Sequence, residues 1–376
     1  MSVRRRAAVA ALGLSLLVLL VGGCTARERA PDTAGVRAAV DRRAAEVLAA
    51  ELADVPLGAW SYRVTEVRRD GDDRATARAE LSYRIAGYDN GAVTGERALR
   101  LARRDGRWYV TSDRPAKGAA QQLWEQGDID VVRGKRSLVL GVGQDAARLR
   151  SVAAAADRAV PAVSDAWPER WAGRVVVVVV VPGSLTAMGA LLGEPAAGYR
   201  GIAAVTTGRV GGGPDAPADR VVVNPEAYAV LGEFGQRFVL AHETTHVATR
   251  AHTSAATPLW LSEGFADWVA YRGTGRSAEQ AAPELRDAVR AGATPAALPT
   301  DGDFSFAADA AGLARAYEGG WLACELIADR WGEAKLRAFY RAAGARGWEA
   351  ASADVLATTP EAFTDQWRGY LGERLG

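Results

Sequence analysis

The chain has 376 residues and about half are apolar, which is length and composition enough for two domains with real cores. Lys and Arg total 46 against 45 Asp and Glu, so the net charge is +1 and there is no electrostatic case for a nucleic-acid partner. Only two cysteines are present, Cys24 and Cys324.

The first 23 residues read as a signal peptide. Arg4, Arg5 and Arg6 form a basic start, and Ala7 to Leu20 is an apolar run too short to span a bilayer comfortably. Leu20-Val21-Gly22-Gly23-Cys24 resembles a bacterial lipobox. That resemblance implies cleavage before Cys24 and a lipid on its thiol. The chain would then be tethered at the extracytoplasmic face of the bacterial cell membrane by residues 24–33. Cys324 is left without a disulfide partner and reads as a small buried hydrophobe.

Residues 34–114 read as a small α+β domain. Val36, Val40, Ala44, Val47, Leu48 and Leu52 recur at helical spacing. Strand-like segments follow at 59–67, 75–85, 97–102 and 108–111, separated by Asp70-Gly71, Asp89-Asn90-Gly91 and Asp105-Gly106 turns. A helix followed by an antiparallel meander looks like the cystatin-like or nuclear-transport-factor-2-like class. It carries no acid–base pair or metal set, so the default reading is a spacer or interaction module, with a small-molecule pocket as the alternative. Residues 115–130, with Pro115, Gly118 and Gln121-Gln122, read as a linker.

Residues 131–376 read as one unit, a small β-sheet followed by a mainly helical lobe. Strand 137–142 and an amphipathic helix over 146–166 open it. The valine run 175–181 predicts a central strand buried on both faces. Two further strands are expected over 201–207 and 220–224, with Gly211-Gly212-Gly213-Pro214 between them. The remainder is helical, over 277–291, 314–331, 333–343 and 360–375, with Trp331, Trp348 and Trp367 as packing anchors.

The chemistry centres on His242-Glu243-Thr244-Thr245-His246. On a helix, residues four apart lie on one face, so both imidazoles can ligate one Zn²⁺ while Glu243 stands beside them as a base. Two of the chain's three histidines are used here. His252 follows at the metzincin spacing, but Thr249 occupies the position where that pattern has a glycine. Neither Met1 nor Met188 lies downstream to supply a Met-turn. Glu263, in Trp260-Leu261-Ser262-Glu263-Gly264-Phe265-Ala266-Asp267, is the other candidate third ligand. Asp267, four residues on, is placed to accept the second N–H of a ligating histidine.

Here the chain resembles the gluzincin metallopeptidases, the group that includes thermolysin and the zinc aminopeptidases. Their third ligand is a Glu on the next helix, which falls on Glu263. Ala316-Tyr317-Glu318-Gly319-Gly320 resembles the Y-E-x-G segment of the aminopeptidases, which implies that Tyr317 donates a hydrogen bond to the reaction's oxyanion. The resemblance also implies an edge strand that pairs with substrate backbone, here Gly201, Ile202, Ala203, Ala204 and Val205. The aminopeptidase G-x-M-E-N signature is absent, which tilts the expectation to an endopeptidase. The reading is therefore an α+β zinc peptidase acting on peptide or protein substrates with one Zn²⁺ per chain. Two rival readings are a non-catalytic binding or assembly lipoprotein that keeps the fold, and a metal-dependent hydrolase of something other than peptides, such as a cell-wall amide.

Overall fold

The computed structural model describes residues 33–169, 171, 176–208, 215–305 and 309–376. The expected signal peptide, Cys24 and all of the tether except Thr33 lie outside the described residues, as do Val175 and the Gly211–Pro214 loop. The fold is α+β.

Helix α1 (Thr33–Ala50) packs on one face of an antiparallel sheet of β1 (Leu57–Arg69), β2 (Arg74–Ile85), β3 (Val93–Arg104) and β4 (Arg107–Pro115), arranged in chain order. Period-two alternation explains the packing. Val64, Ala77 and Leu99 turn inward while Arg63, Arg78 and Arg100 turn outward. Each strand runs longer than its expected segment. Asp105 and Gly106 both take positive φ, 48° and 74°, as a two-residue hairpin turn requires.

The second sheet has five strands: β5 (Ile129–Arg133), β6 (Ser137–Val142), β7 (Val177–Val181), β8 (Ala204–Thr206) and β9 (Arg220–Val223). Their order is β5-β6-β7-β9-β8, with β6, β7 and β9 parallel and the two edge strands antiparallel. Helix α2 (Ala146–Ala166), capped by the Asp145 carboxylate accepting from the Arg148 N–H, covers one face. Every residue of β7 is buried, as the valine run predicted. Val177, Val179 and Val181 join the core under α2, whereas Val178 and Val180 join the core of the N-terminal sheet.

Three expectations are corrected. The expected edge strand is shorter: Ala204 and Val205 lie in β8, but Gly201, Ile202 and Ala203 form the turn leading into it, Ala203 still accepting from the Asn224 N–H. The expected linker is not a loose spacer. Leu123 and Trp124 are buried, Trp124 packs edge-on against Trp60 and Tyr83, and β5 begins inside it. The helix expected over 277–291 splits into α7 (Ala278–Ala281) and α8 (Pro283–Arg290), because Pro283 lacks the N–H that would continue the ladder. For these labels, α3 (Leu185–Leu192) and α4 (Pro225–Val230) precede α5 (Glu233–Thr249) and α6 (Leu259–Tyr271).

The lobe closes with α9 (Ala310–Trp331), α10 (Glu333–Arg346), α11 (Trp348–Leu356) and α12 (Pro360–Leu375). Trp367 is buried and donates its indole N–H to the Gly319 carbonyl, and Trp331 donates to Leu356. Cys324 is fully buried. Among the described residues, no helix is long and apolar enough to cross a membrane.

Candidate metal centre

His242 and His246 lie one turn apart in the second half of α5, and Glu263 lies on α6, which packs against it. Their donor atoms converge. His242 Nε2 and His246 Nε2 are 3.0 Å apart, and Glu263 Oε2 is 3.2 Å from the first and 3.4 Å from the second. Four-coordinate zinc holds nitrogen and carboxylate oxygen at about 2.0–2.2 Å, which puts tetrahedral donors about 3.3–3.6 Å apart. The triangle therefore has the size and the donor chemistry for one such ion, with a fourth direction left over.

The electrostatics also favour a cation. Burial opposes charge on His242, but the hydrogen bond and charge of Asp267, followed by Glu263, hold its pKa well above the ordinary value. Burial likewise opposes charge on Glu263, yet the two imidazoles hold its carboxyl well below the usual range. Asp267 is raised by burial, only partly offset by His242. Asp267 Oδ1 sits 2.7 Å from His242 Nδ1, which aims Nε2 at the other two donors.

Glu243 is held from β8. The Thr206 hydroxyl stands 2.7 Å from Glu243 Oε2 and 3.0 Å from the Glu243 carbonyl. Tyr317 on α9 sits over the same cluster, its ring 6.4 Å from the His242 ring and edge-on to Phe304 at 5.2 Å. Burial, then the charges of Glu263, Asp267 and Glu243, push the phenol far above its ordinary pKa, so it keeps its proton. His252 lies apart in a 3-10 turn after α5, 3.1 Å from Glu169 and against Trp167.

Two features of the site were not anticipated. Thr206 carried no signal, because one threonine at a strand end looks like any other. The glycines did carry one, since a glycine inside a helix costs stability unless packing needs it. A Cβ on Gly264 would lie 2.2 Å from the Gly320 carbonyl oxygen, and one on Gly320 would lie 2.6 Å from the Trp260 oxygen. Glycine on both helices lets α6 and α9 cross backbone to backbone, which brings Tyr317 over Glu263. Glu318, next in α9, turns the other way, and its carboxylate accepts the Leu285 N–H at 2.6 Å at the start of α8.

A scan against protein-family models matched no family, and a search of curated proteins found no match.

Proposed function

We propose that the chain is a zinc-dependent peptidase of the gluzincin type. It acts as an endopeptidase on peptide or protein substrates outside the cytoplasmic membrane, to which a lipid on Cys24 tethers it. The observation that carries this reading is the convergence of His242, His246 and Glu263 at donor separations of 3.0–3.4 Å, with a carboxylate base and a phenol beside it.

The bound zinc would supply Lewis acidity, polarising a carbonyl and bringing the pKa of water toward neutrality. The chain's own groups supply the rest. Thr206 fixes one oxygen of Glu243 and leaves Oε1 without a partner among the described residues. Through it Glu243 takes a proton from the attacking water and passes it to the departing amine as the C–N bond breaks. Tyr317, protonated and engaged in no hydrogen bond among the described residues, donates to the carbonyl oxygen as negative charge develops there. Substrate backbone is accommodated along the outer edge of β8, which pairs with β9 on its other side.

Metal per chain, measured by atomic emission on the chain from Thr25 onward, tests the site. About one zinc is expected, lost in Glu263→Ala and kept in His252→Ala. Digestion of unfolded casein tests the activity. Wild type cleaves it, and Glu243→Gln, still loaded with zinc, does not. Equal background cleavage by both would sink the peptidase reading in favour of a binding or assembly lipoprotein.

A further inference from the structure

The N-terminal sheet has α1 on one face and nothing from the described chain on the other. On that outer face the strand register builds two rows across β1 to β4. Arg68, Thr76, Arg100 and Ser112 form one, and Glu66, Arg78, Ala98 and Arg114 form the next. Together they line an open trough of about 620 Å³. Its floor is low, because Thr76, Ala98 and Ser112 stand between taller side chains. Four arginines face one glutamate in the lining. Glu66 is shared between Arg68 at 2.5 Å and Arg78 at 3.6 Å, and Glu96 reaches Arg78 at 3.8 Å from the rim. The side chains of Arg100 and Arg114 make no ion pair among the described residues.

The charges are also regularly spaced. Arg68 and Arg100 lie two strands apart, as do Arg78 and Arg114, which is about 10 Å. The two rows lie two residues apart along the strands, about 7 Å. A lone anion would use a fraction of this array. A flat bilayer would rest on the rim of a concave face. A nucleic acid would bring bases to a trough whose lining holds no aromatic ring to stack on. Guanidinium forks match phosphate oxygens two at a time, and the Thr76 and Ser112 hydroxyls add single donors between them.

We propose that this trough binds one strand of a linear phosphodiester polymer whose polyol or sugar units carry no bases, its successive phosphates held by Arg68, Arg78, Arg100 and Arg114. The surface is built wholly from the N-terminal sheet, and the proposal stands whether or not the metal centre is catalytic.

The test titrates poly(glycerol phosphate) into the chain from Thr25 onward at several salt concentrations. Binding is expected to weaken linearly with log salt. Arg100→Ser/Arg114→Ser is expected to lower affinity by about tenfold or more and to flatten the slope by about 0.7 for each lost phosphate contact. Both arginines are exposed, so the sheet core is untouched. Arg150→Ser/Arg346→Ser removes the same charge from exposed positions elsewhere and is expected to change nothing. The proposal is overturned if wild type does not bind at low salt, or if the two double variants lose affinity equally. It is equally overturned if polyglutamate, an oligothymidylate or phosphatidylglycerol vesicles bind more tightly than the polyol phosphate.

Discussion

Replacing Gly264 by alanine isolates what the α6–α9 crossing contributes. The added methyl would sit 2.2 Å from the Gly320 oxygen, 2.3 Å from its carbonyl carbon and 2.9 Å from the Trp321 nitrogen. All three are backbone atoms inside a helix, so no side chain can swing aside, and the helices must separate by roughly 1 Å to restore van der Waals contact. Overpacking of this kind costs about 1–3 kcal/mol, and with rigid neighbours the upper end applies. Alanine returns up to about 1 kcal/mol in helix propensity. The net loss is about 2 kcal/mol, or roughly 4–8 °C in Tm for a unit of this size. Gly369→Ala is the matched control, because α12 is helical there and nothing lies within 4 Å of the new Cβ. It should raise Tm by roughly 2–4 °C from the same propensity term. Thermal unfolding by circular dichroism, run on both variants beside wild type, reads the contrast. A Gly264→Ala protein as stable as Gly369→Ala would refute the claim that the glycines set the helix separation.

Three further outcomes are expected. Thr206→Val removes a hydrogen bond to a carboxylate, a contact of about 1.5 kcal/mol or more, so casein cleavage should fall by about tenfold with zinc content unchanged, and Thr206→Ser should restore it; unchanged cleavage in Thr206→Val would show that Glu243 needs no such support. Asp267→Asn should weaken zinc binding by about 10–100-fold in competition with a chromophoric chelator, because His242 exchanges a charged acceptor for a neutral amide that orients it less firmly, and an unaltered affinity would contradict that role. Glu318 is raised to about 8 from its ordinary 4.5 by burial and then by its hydrogen bond with Glu284, so the folded state holds a proton that the unfolded state releases, and stability should fall as pH rises from about 4.5 through 8. Glu318→Gln stays neutral, so its Tm should gain on wild type across that window, and a pH-independent difference would exclude Glu318 as the cause.

Much of the site was legible because its logic is local. His242 and His246 are four residues apart on one helix, and Glu263 and Asp267 repeat that spacing on the next, so each pair was readable from helical geometry alone. Packing α5 against α6 then brings the two pairs together. What escaped was long-range. Thr206 meets Glu243 only after β8 folds against α5, and no periodicity records such a contact. The expected strand over 201–207 was too long because apolar residues in a turn look like apolar residues in a strand; the ladder register covers Ala204–Thr206, with one further backbone hydrogen bond each at Ala203 and Thr207. The linker was misjudged for the converse reason. Pro115, Gly118 and two glutamines suggested a solvated spacer, but Leu123 and Trp124 supply the burial that ties it down.

The valine run carried a consequence that composition alone could not show. A strand buried on both faces needs two covering layers, and α2 supplies only one. The other is a core that the N-terminal sheet shares with Leu123, Trp124 and Met188 of α3, and it is continuous with Leu138, Leu140, Val178, Val180 and Val222. At about 1.5–3 kcal/mol for each buried side chain, exposing these five would forfeit about 8–15 kcal/mol. That is comparable to the whole stability of an ordinary domain. Polar contacts follow the same path. Buried Asp89, in the turn after β2, pairs with Arg220 at 2.8 Å, and neighbouring Asp219 pairs at 2.8 Å with Arg250, one residue past the end of α5. The N-terminal unit is thus joined, through β9, to the helix that presents His242 and His246. It belongs to the scaffold of the metal centre and is not a detachable spacer.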